Sequence, residues 1–380
     1  MSWSTNNLGD LVEIKGGGTP SKSVPEYWGG AIPWASVKDF KGGTLETTED
    51  CITELAVSSS STCLIPAGSL IVPTRMALGK VAINSVEMAI NQDLKALRVR
   101  DESRLLVRYL YRFLEYKSGF LQEQGKGATV KGITLDVLKG LEVPLPPLSE
   151  QTRIAAILDK ADAIRRKRQQ AIKLADDFLR AVFLDMFGDP VTNSKSWPML
   201  RVEELCEIVR GSSPRPQGDP RFYGGPVPRL MVADLTRDGK LVTPKIDSLT
   251  EQGAKKSRPI EAGTVVMAVS GNVGLTSVLA IDACIHDGFV AFKGLDTSKI
   301  RQEFLCEIMM FLKSTHESRK AGAIFQNLTT SQIKEMQIPV PPLALQDKFI
   351  SINGAINRIY DSCDFSIFES ISTRVFNGKL

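Results

Sequence analysis

The sequence predicts a mixed α/β chain made by internal duplication. Two similar globular domains are separated by two long helices, which pair antiparallel as a coiled coil about a pseudo-twofold axis. Three observations predict this. One offset of 194–195 residues superimposes much of the chain on itself, each copy holds a long stretch with heptad apolar spacing, and the rest of each copy mixes short strand-like runs with one helical segment.

The repeat comes first. An offset of 194 sets "DLVEI" (10–14) on "ELCEI" (204–208), and Gly17-x-Thr19-Pro20 on Gly211-x-Ser213-Pro214. An offset of 195 then sets "YWGGAIPW" (27–34) on "FYGGPVPR" (222–229), "LIPAGSLIV" (64–72) on "PIEAGTVVM" (259–267) and Gly79 on Gly274. It continues through "GKGATVKGIT" (125–134) on "KAGAIFQNLT" (320–329) and ends with "EVPLPPLSEQ" (142–151) on "QIPVPPLALQ" (337–346). The prolines read as a stop between a last strand and a helix, which a duplicated chain needs twice.

Within each globular part, runs such as "SLIVPTRM", "KVAIN" and "TVVMAVSG" are bounded by Gly, Pro and Ser and read as strands. "RLLVRYLYRFLEYKSGFLQ" (104–122) and "IRQEFLCEIMMFLKSTHESRK" (300–320) read as the one helical segment of each copy. From Ser149 to Phe187 there is neither Pro nor Gly, and Gly188 stands where that helix should end. Its seam is Ile154, Ile157, Ala161, Ile164, Arg168, Ala171, Ala175, Phe178 and Val182, in 3-4 spacing. The second helix continues it with Phe349, Ile352, Ile356, Ile359 and Cys363. After a two-residue change of register, Phe368, Ile371 and Val375 follow. The boundaries are 1–147 and 191–342 for the globular domains, and 148–190 and 343–380 for the spacer helices.

Composition sets the class. The 380 residues are 43% apolar and 24% charged, as in a soluble globular protein, with a formal net charge of +4 that permits nucleic-acid binding without demanding it. No apolar run reaches the roughly 18–20 residues of a membrane span, and the N-terminus lacks the pattern of a signal peptide; the expected location is the cytoplasm, with no membrane partner. The six scattered cysteines read as reduced thiols.

A search for catalytic chemistry finds little. Cys284-x-His286 offers two ligands on one strand face, but no second pair completes a zinc site, and a half-buried histidine is favoured over a ligand. No metal site is expected. Neither "GGG" (16–18) nor "SGNVG" (270–274) opens a complete G-x-x-x-x-G-K-[ST] phosphate loop. The Asn/Asp-Pro-Pro-aromatic stretch of amino-methyltransferases and a serine nucleophile elbow are both absent from the sequence.

The loops instead carry groups suited to DNA. In the first copy the candidates are Lys22, Trp34, Lys38, Arg75, Lys80, Asn91, Lys126 and Lys131. In the second they are Arg210, Arg215, Arg229, Asn272, His286, Lys320 and Gln326. Arg and Lys suit guanine edges and phosphates, and Asn and Gln suit adenine. "TPSKSVPEYW" faces "SPRPQGDPRFY" and "TRMALGKV" faces "SGNVGLTS", so the loops diverge where the scaffold agrees. Identical readers would imply a palindrome; divergent ones imply two different half-sites. The run Arg165-Arg166-Lys167-Arg168 reads either as a solvated helix face or as a strip facing phosphates or an acidic partner.

These motifs, above all "GATVKGIT…LEVPLPPLSEQ" running into the long helix and its partner at 322–346, resemble the specificity (S) subunits of type I restriction–modification systems, over essentially the whole chain. The resemblance implies target recognition domains that each read one half of a bipartite, asymmetric duplex target. It also implies helices that set the spacer and dock two methyltransferase (M) subunits, with restriction (R) subunits joining through these. Adenine methylation from S-adenosylmethionine, and ATP- and Mg-dependent cleavage, would then belong to the partner subunits, with no cofactor and no active site in this chain. Leu345 stands where the first copy has Glu150, which implies a skewed partner contact at the second motif. The alternative is a coiled-coil adaptor that binds no DNA; it accounts for the helices but not for the divergent loops.

Overall fold

The computed structural model describes residues 3–127, 131–318, 328–361 and 367–376. Its contacts divide the chain into two units, Met1–Gln169 with Asp364–Leu380, and Gln170–Cys363. Each unit thus takes one globular domain, half of the central helix (Leu148–Phe187) and part of the C-terminal helical region.

Both units contain the same three sheets. In the first, Val12–Gly16, Leu94–Val99, Leu70–Pro73, Ala82–Asn84 and Thr44–Leu45 form one sheet in that spatial order; only the last pair is parallel. A second sheet runs Asp50–Ile52, Trp28–Ala35, Met88–Ile90, Leu64–Ile65, with Trp28–Ala35 parallel to Met88–Ile90. A third pairs Thr5–Asn7 with Glu142–Pro144. The second unit repeats all three, strand for strand, down to the register shift in Tyr223–Leu230 that matches the one in Trp28–Ala35. Between the strands Leu70, Val72, Leu97 and Val99 bury their side chains with Val107–Tyr116 in the first core; Val265, Met267, Val290 and Phe292 do so with Gln302–Ser318 in the second.

Two polar side chains hold each copy together in the same way. Asp39 is buried, accepting from the Ser36 and Glu49 amides (2.7 and 2.8 Å); its counterpart Asp234 accepts from Met231 and Lys245 (both 3.0 Å). Gln151 closes the proline motif. Fully buried, it accepts from the Leu106 amide (2.9 Å) and donates to the Arg104 and Pro146 carbonyls (2.8 and 2.9 Å). Gln346 makes the same three bonds to Arg301, Lys299 and Pro341 (2.8, 2.9 and 2.8 Å). The repeated motif is thus a clasp between the root of a helix and its domain. The motifs differ next to it: Glu150 is ion-paired with Arg153 (2.9 Å), whereas Leu345 is half-buried against the second core.

The helices pair in opposite senses within each unit. In the second, Phe183 and Phe187, at the end of the central helix, meet Phe349 near the start of Leu343–Asp361 (5.5 and 5.6 Å). In the first, Ile154 and Leu158 share a core with Val375 and Phe376, at the end of Ile367–Phe376, while Arg165 lies 5.2 Å from the Phe368 ring. The central helix stops at Gly188, whose φ of 76° suits the left-handed cap, and the Trp197 indole donates to the Phe187 carbonyl (3.0 Å).

The seam needs correction in part. Ile154, Ala161, Phe349, Ile356 and Val375 are buried, and Ile157, Val182, Ile352 and Ile371 half-buried. Ile164 and Phe178 are exposed (48% and 55%); Leu158, Leu179 and Phe183 take the buried positions instead. A straight helix drifts about 20° per heptad from a strict 3.5-residue repeat, and burial here is also shared with each domain's own helix. The side chain of Ile359, and Cys363, lie outside the described residues.

Polar side chains fasten a helix to each domain, through ion pairs in the first unit and through the Asn353 amide in the second. In the first unit Arg112, 2% exposed, pairs with Asp159 (2.7 Å) and Asp162 (3.4 Å) of the central helix, and with Glu115. Burial opposes the charged form of Asp159 and Asp162, yet hydrogen bonds from Arg108 and Arg112 to the first, and from Arg165 to the second, hold both below the ordinary carboxylate range. At the position of Arg112 the second copy has Glu307, which pairs with Lys240 (2.6 Å) and accepts from Asn353 (2.8 Å).

Candidate nucleic-acid interface

In each domain one loop leaves the end of Val12–Gly16 or of Glu207–Arg210 and crosses a neighbouring strand. A Cβ at Gly17 would lie 2.1 Å from the Ile90 carbonyl oxygen, and one at Gly211 the same distance from that of His286, so only glycine lets the loop cross the neighbouring strand. The crossing is pinned by Gly18 N–H to Ile90 (2.9 Å) and Ser212 N–H to Ile285 (3.1 Å).

In the first unit this crossing is aromatic. Trp34 is 4% exposed, donates its indole N–H to the Gly18 carbonyl (3.0 Å) and stands edge-on to Trp28 (5.2 Å). It is therefore a pillar under the loop and not a side chain presented to a ligand. Burial follows from its place at the inner end of Trp28–Ala35, opposite Asp50. Lys22 is exposed, 6.0 Å from the Trp28 ring. Asn91 is also buried, its Oδ1 accepting from the Asp93 amide (3.1 Å) to close a turn.

In the second unit the same places are ionic. Arg229 replaces Trp34, 5% exposed, paired with Asp247, donating to Ser213 Oγ (3.0 Å) and lying 5.4 Å from the Tyr223 ring. Its Nε is buried without a hydrogen-bond partner among the described residues. Asp287 Oδ1 accepts from Ser213 (2.7 Å), Arg210 donates to the Asp287 carbonyl (3.1 Å), and exposed Arg215 is 3.7 Å from its carboxylate. Ser213 holds the Asp287 carboxyl below its usual range. His286 stands at the position of Asn91 and closes the same kind of turn. It is half-buried, and its Nδ1 accepts from the Gly288 amide (2.9 Å). Burial and the nearby Arg229 push the imidazole below its ordinary pKa, so it stays neutral and accepting. Cys284 is fully buried, burial raises its thiol, and among the described residues no group of three or more His, Cys, Asp or Glu is placed to hold a metal.

A second cationic group in the first unit lies on the turn after Leu70–Pro73. Arg75 bridges to Gly132, Lys126 bridges to Gly132 as well, and the Lys131 carbonyl accepts from Met76 N–H (3.1 Å). All three cations are exposed. At the matching turn of the second unit, Asn272 is exposed and accepts from Lys313. Lys38 is exposed beside the turn capped by Ser36, and Lys80 donates to the Phe40 carbonyl (3.2 Å). Lys80 also lines a cavity of about 880 Å³ with Lys41, Tyr111, Arg165 and Arg166; the two arginines are both paired with Asp162 (2.6 and 2.9 Å).

The structure thus brings Arg210, Arg215, Arg229 and His286 together, and separately Arg75, Lys126 and Lys131, while Trp34, Asn91 and Arg229 serve the scaffold. Lys320 and Gln326 lie outside the described residues. Sequence reasoning misses Asp287, Tyr223, Trp28 and Met76. Asp287 is legible only as the neighbour of His286, because a search for cations skips the acid that organises them.

No helix among the described residues is long and apolar enough to cross a membrane. The family model for the type I restriction modification DNA specificity domain matches residues 2–174 and 194–352, one match per copy. The MjaIX specificity subunit of Methanocaldococcus jannaschii is 26% identical over 375 residues, covering 92% of this chain and 85% of that protein. The EcoR124I/EcoR124II specificity subunit of Escherichia coli is 39% identical over 171 residues, 43% of this chain and 41% of that one. Among solved structures, the S subunit from M. genitalium matches with a TM-score of 0.56 at 16% identity, over 99% of this chain and 96% of that one. A chain from a structure concerned with complex assembly in the type I R-M system matches at 0.52 and 17%, over 100% and 98%. With repeated sheets, long helices and a family model spanning both copies, the chain belongs to the type I restriction–modification DNA specificity family and is a specificity subunit of such a system.

Proposed function

We propose that this subunit binds double-stranded DNA sequence-specifically, each domain reading one half of a bipartite, asymmetric target. The central and C-terminal helices set the spacer and dock two methyltransferase subunits, through which restriction subunits join. Methyl transfer from S-adenosylmethionine to adenine N6, and ATP- and Mg-dependent cleavage, take place in those partners, and this chain supplies no catalytic group.

The observation that carries the reading is a matched scaffold with unmatched side chains. Strand order, register shift and buried clasps agree between copies, while exposed Lys38 falls on Ala233 and exposed Arg75 on Ser270 at equivalent positions. Two alike frames with unlike loops suit two different half-sites. The continuous helix of 40 residues supports the spacer role.

The test is methylation mapping. The chain is expressed with its methyltransferase partner in a host without other adenine methylation, and modified adenines are located by sequencing. A single split, asymmetric motif with a fixed gap is expected. Absence of methylation from a stable complex of the two proteins would refute DNA reading and favour the adaptor.

A further inference from the structure

The turn following Leu70–Pro73 has an equivalent after Val265–Ala268, and the two place different residues at one left-handed position. Met76 has φ of +63°, a left-handed backbone; its counterpart 195 residues on is Gly271, with φ of +72°. Gly79 and Gly274, at +81° and +82°, keep the two turns in step. The second copy meets this geometry with the residue that adopts it freely. The first places a long side chain there, against the ordinary preference of residues with a Cβ.

Packing does not explain the choice, because Met76 is 60% exposed. Nor does the turn need the side chain. Its backbone is held by Met76 N–H to Lys131 (3.1 Å), Ala77 N–H to Arg75 (2.8 Å) and Ile133 N–H to Thr74 (2.9 Å). A large apolar group is therefore presented to solvent on a fixed backbone, at a conformational cost, where glycine would fold. Unfavourable backbone conformations retained in this way cluster at functional positions.

Its surroundings say what it meets. Met76 lines a concavity of about 500 Å³ with Arg75, Lys126, Asp93 and Thr134, and the Arg75 side chain is 65% exposed, 3.7 Å from Asp93. One apolar tip among exposed cations suits a polyanion that carries small apolar features; a protein partner would call for a wider apolar patch. Duplex DNA has that chemistry.

We propose that Met76 contacts an apolar base surface in the half-site read by the first domain, either a thymine 5-methyl group in the major groove or a base face at an opened step. This rests on the DNA-reading function proposed above.

The test uses the full chain in complex with its methyltransferase partner, as wild type, Met76→Gly and Met76→Leu, on the mapped duplex. Met76→Gly should bind about tenfold more weakly, the size of one lost base contact, without a lower melting temperature; Met76→Leu should stay close to wild type. Deoxyuridine in place of half-site thymines weakens wild type but not Met76→Gly if a methyl group is contacted. If a base face is contacted, 2-aminopurine at the half-site brightens with wild type and not with Met76→Gly. Weaker binding by Met76→Gly with neither response overturns the apolar contact. Unchanged DNA affinity in Met76→Gly overturns the assignment and leaves the proposed function standing. Unchanged DNA affinity with weaker methyltransferase association also overturns it, assigning the tip to protein. A wild-type complex that recognises no duplex overturns both.

Discussion

Opposite Asp50 the first copy places Trp34; opposite Asp247 the second places Arg229. Where Asn91 closes a turn in one, His286 closes it in the other, and where Arg112 fastens a helix in one, Glu307 does so in the other. Against these exchanges stand the pairs that did not change: Gly17 and Gly211, Asp39 and Asp234, Gln151 and Gln346. The unchanged side chains satisfy or clear backbone, and backbone is the same in both copies. Of the exchanged ones, Trp34, Asn91 and His286 still bond backbone groups, while Arg229, Arg112 and Glu307 engage other side chains. Sameness here identifies scaffold, and the exchanges leave the backbone frame in place.

The helix fastenings give the largest test of that comparison. Arg112→Leu removes a buried cation from two carboxylates of the central helix and should cost about 3–5 kcal/mol in denaturant unfolding. Glu307→Gln should cost about 1 kcal/mol, because the Lys240 side chain is 37% exposed and turns to water. Equal losses would mean that the two fastenings are not unlike after all. The glutamines sharpen the comparison from the other side. Gln151→Ala and Gln346→Ala each strip three hydrogen bonds from buried backbone. Each should lower unfolding stability by about 2–4 kcal/mol, with a difference between them below about 1 kcal/mol.

The smallest effect lies at His286 and is read by pH. Its folded pKa is depressed, by burial first and Arg229 second, with Asp287 and Asp247 opposing. Below the ordinary histidine value of about 6.5 the unfolded chain takes up a proton that the folded one refuses, so stability falls as pH falls from there towards the folded pKa. His286→Asn, which installs the first copy's residue, should keep the turn and flatten this slope. Thermal melts of both proteins between pH 5 and 8 decide it; parallel curves would show that His286 does not titrate in that window.

Much of this architecture is legible in the sequence because duplication writes it twice. "PLPPLSEQ" and "VPPLALQ" locate both helix roots, and Gly188 the end of the first helix. The seam is legible at Ile154 and Val375 but slips at Phe178, since two surfaces compete for a helix that touches both a domain and another helix. The interface is less legible. Trp34 and Arg229 end strands and turn inward, which local sequence does not distinguish from facing a ligand. Asp287 collects Ser213, Arg210 and Arg215 from some 70 residues away, and such contacts leave no periodic trace. Met76 escapes notice because an exposed methionine is ordinary until its φ is known.

The glutamine clasp has a mechanical meaning. A single buried side chain ties the first turn of the helix to the segment leading into the domain's own helix and to the proline stop. The joint has three fixed points and so behaves as a weld more than a hinge. A pull or twist on the helix root therefore bears first on the segment that leads into the domain's own helix, and the joint works as a bracket and not as a tether.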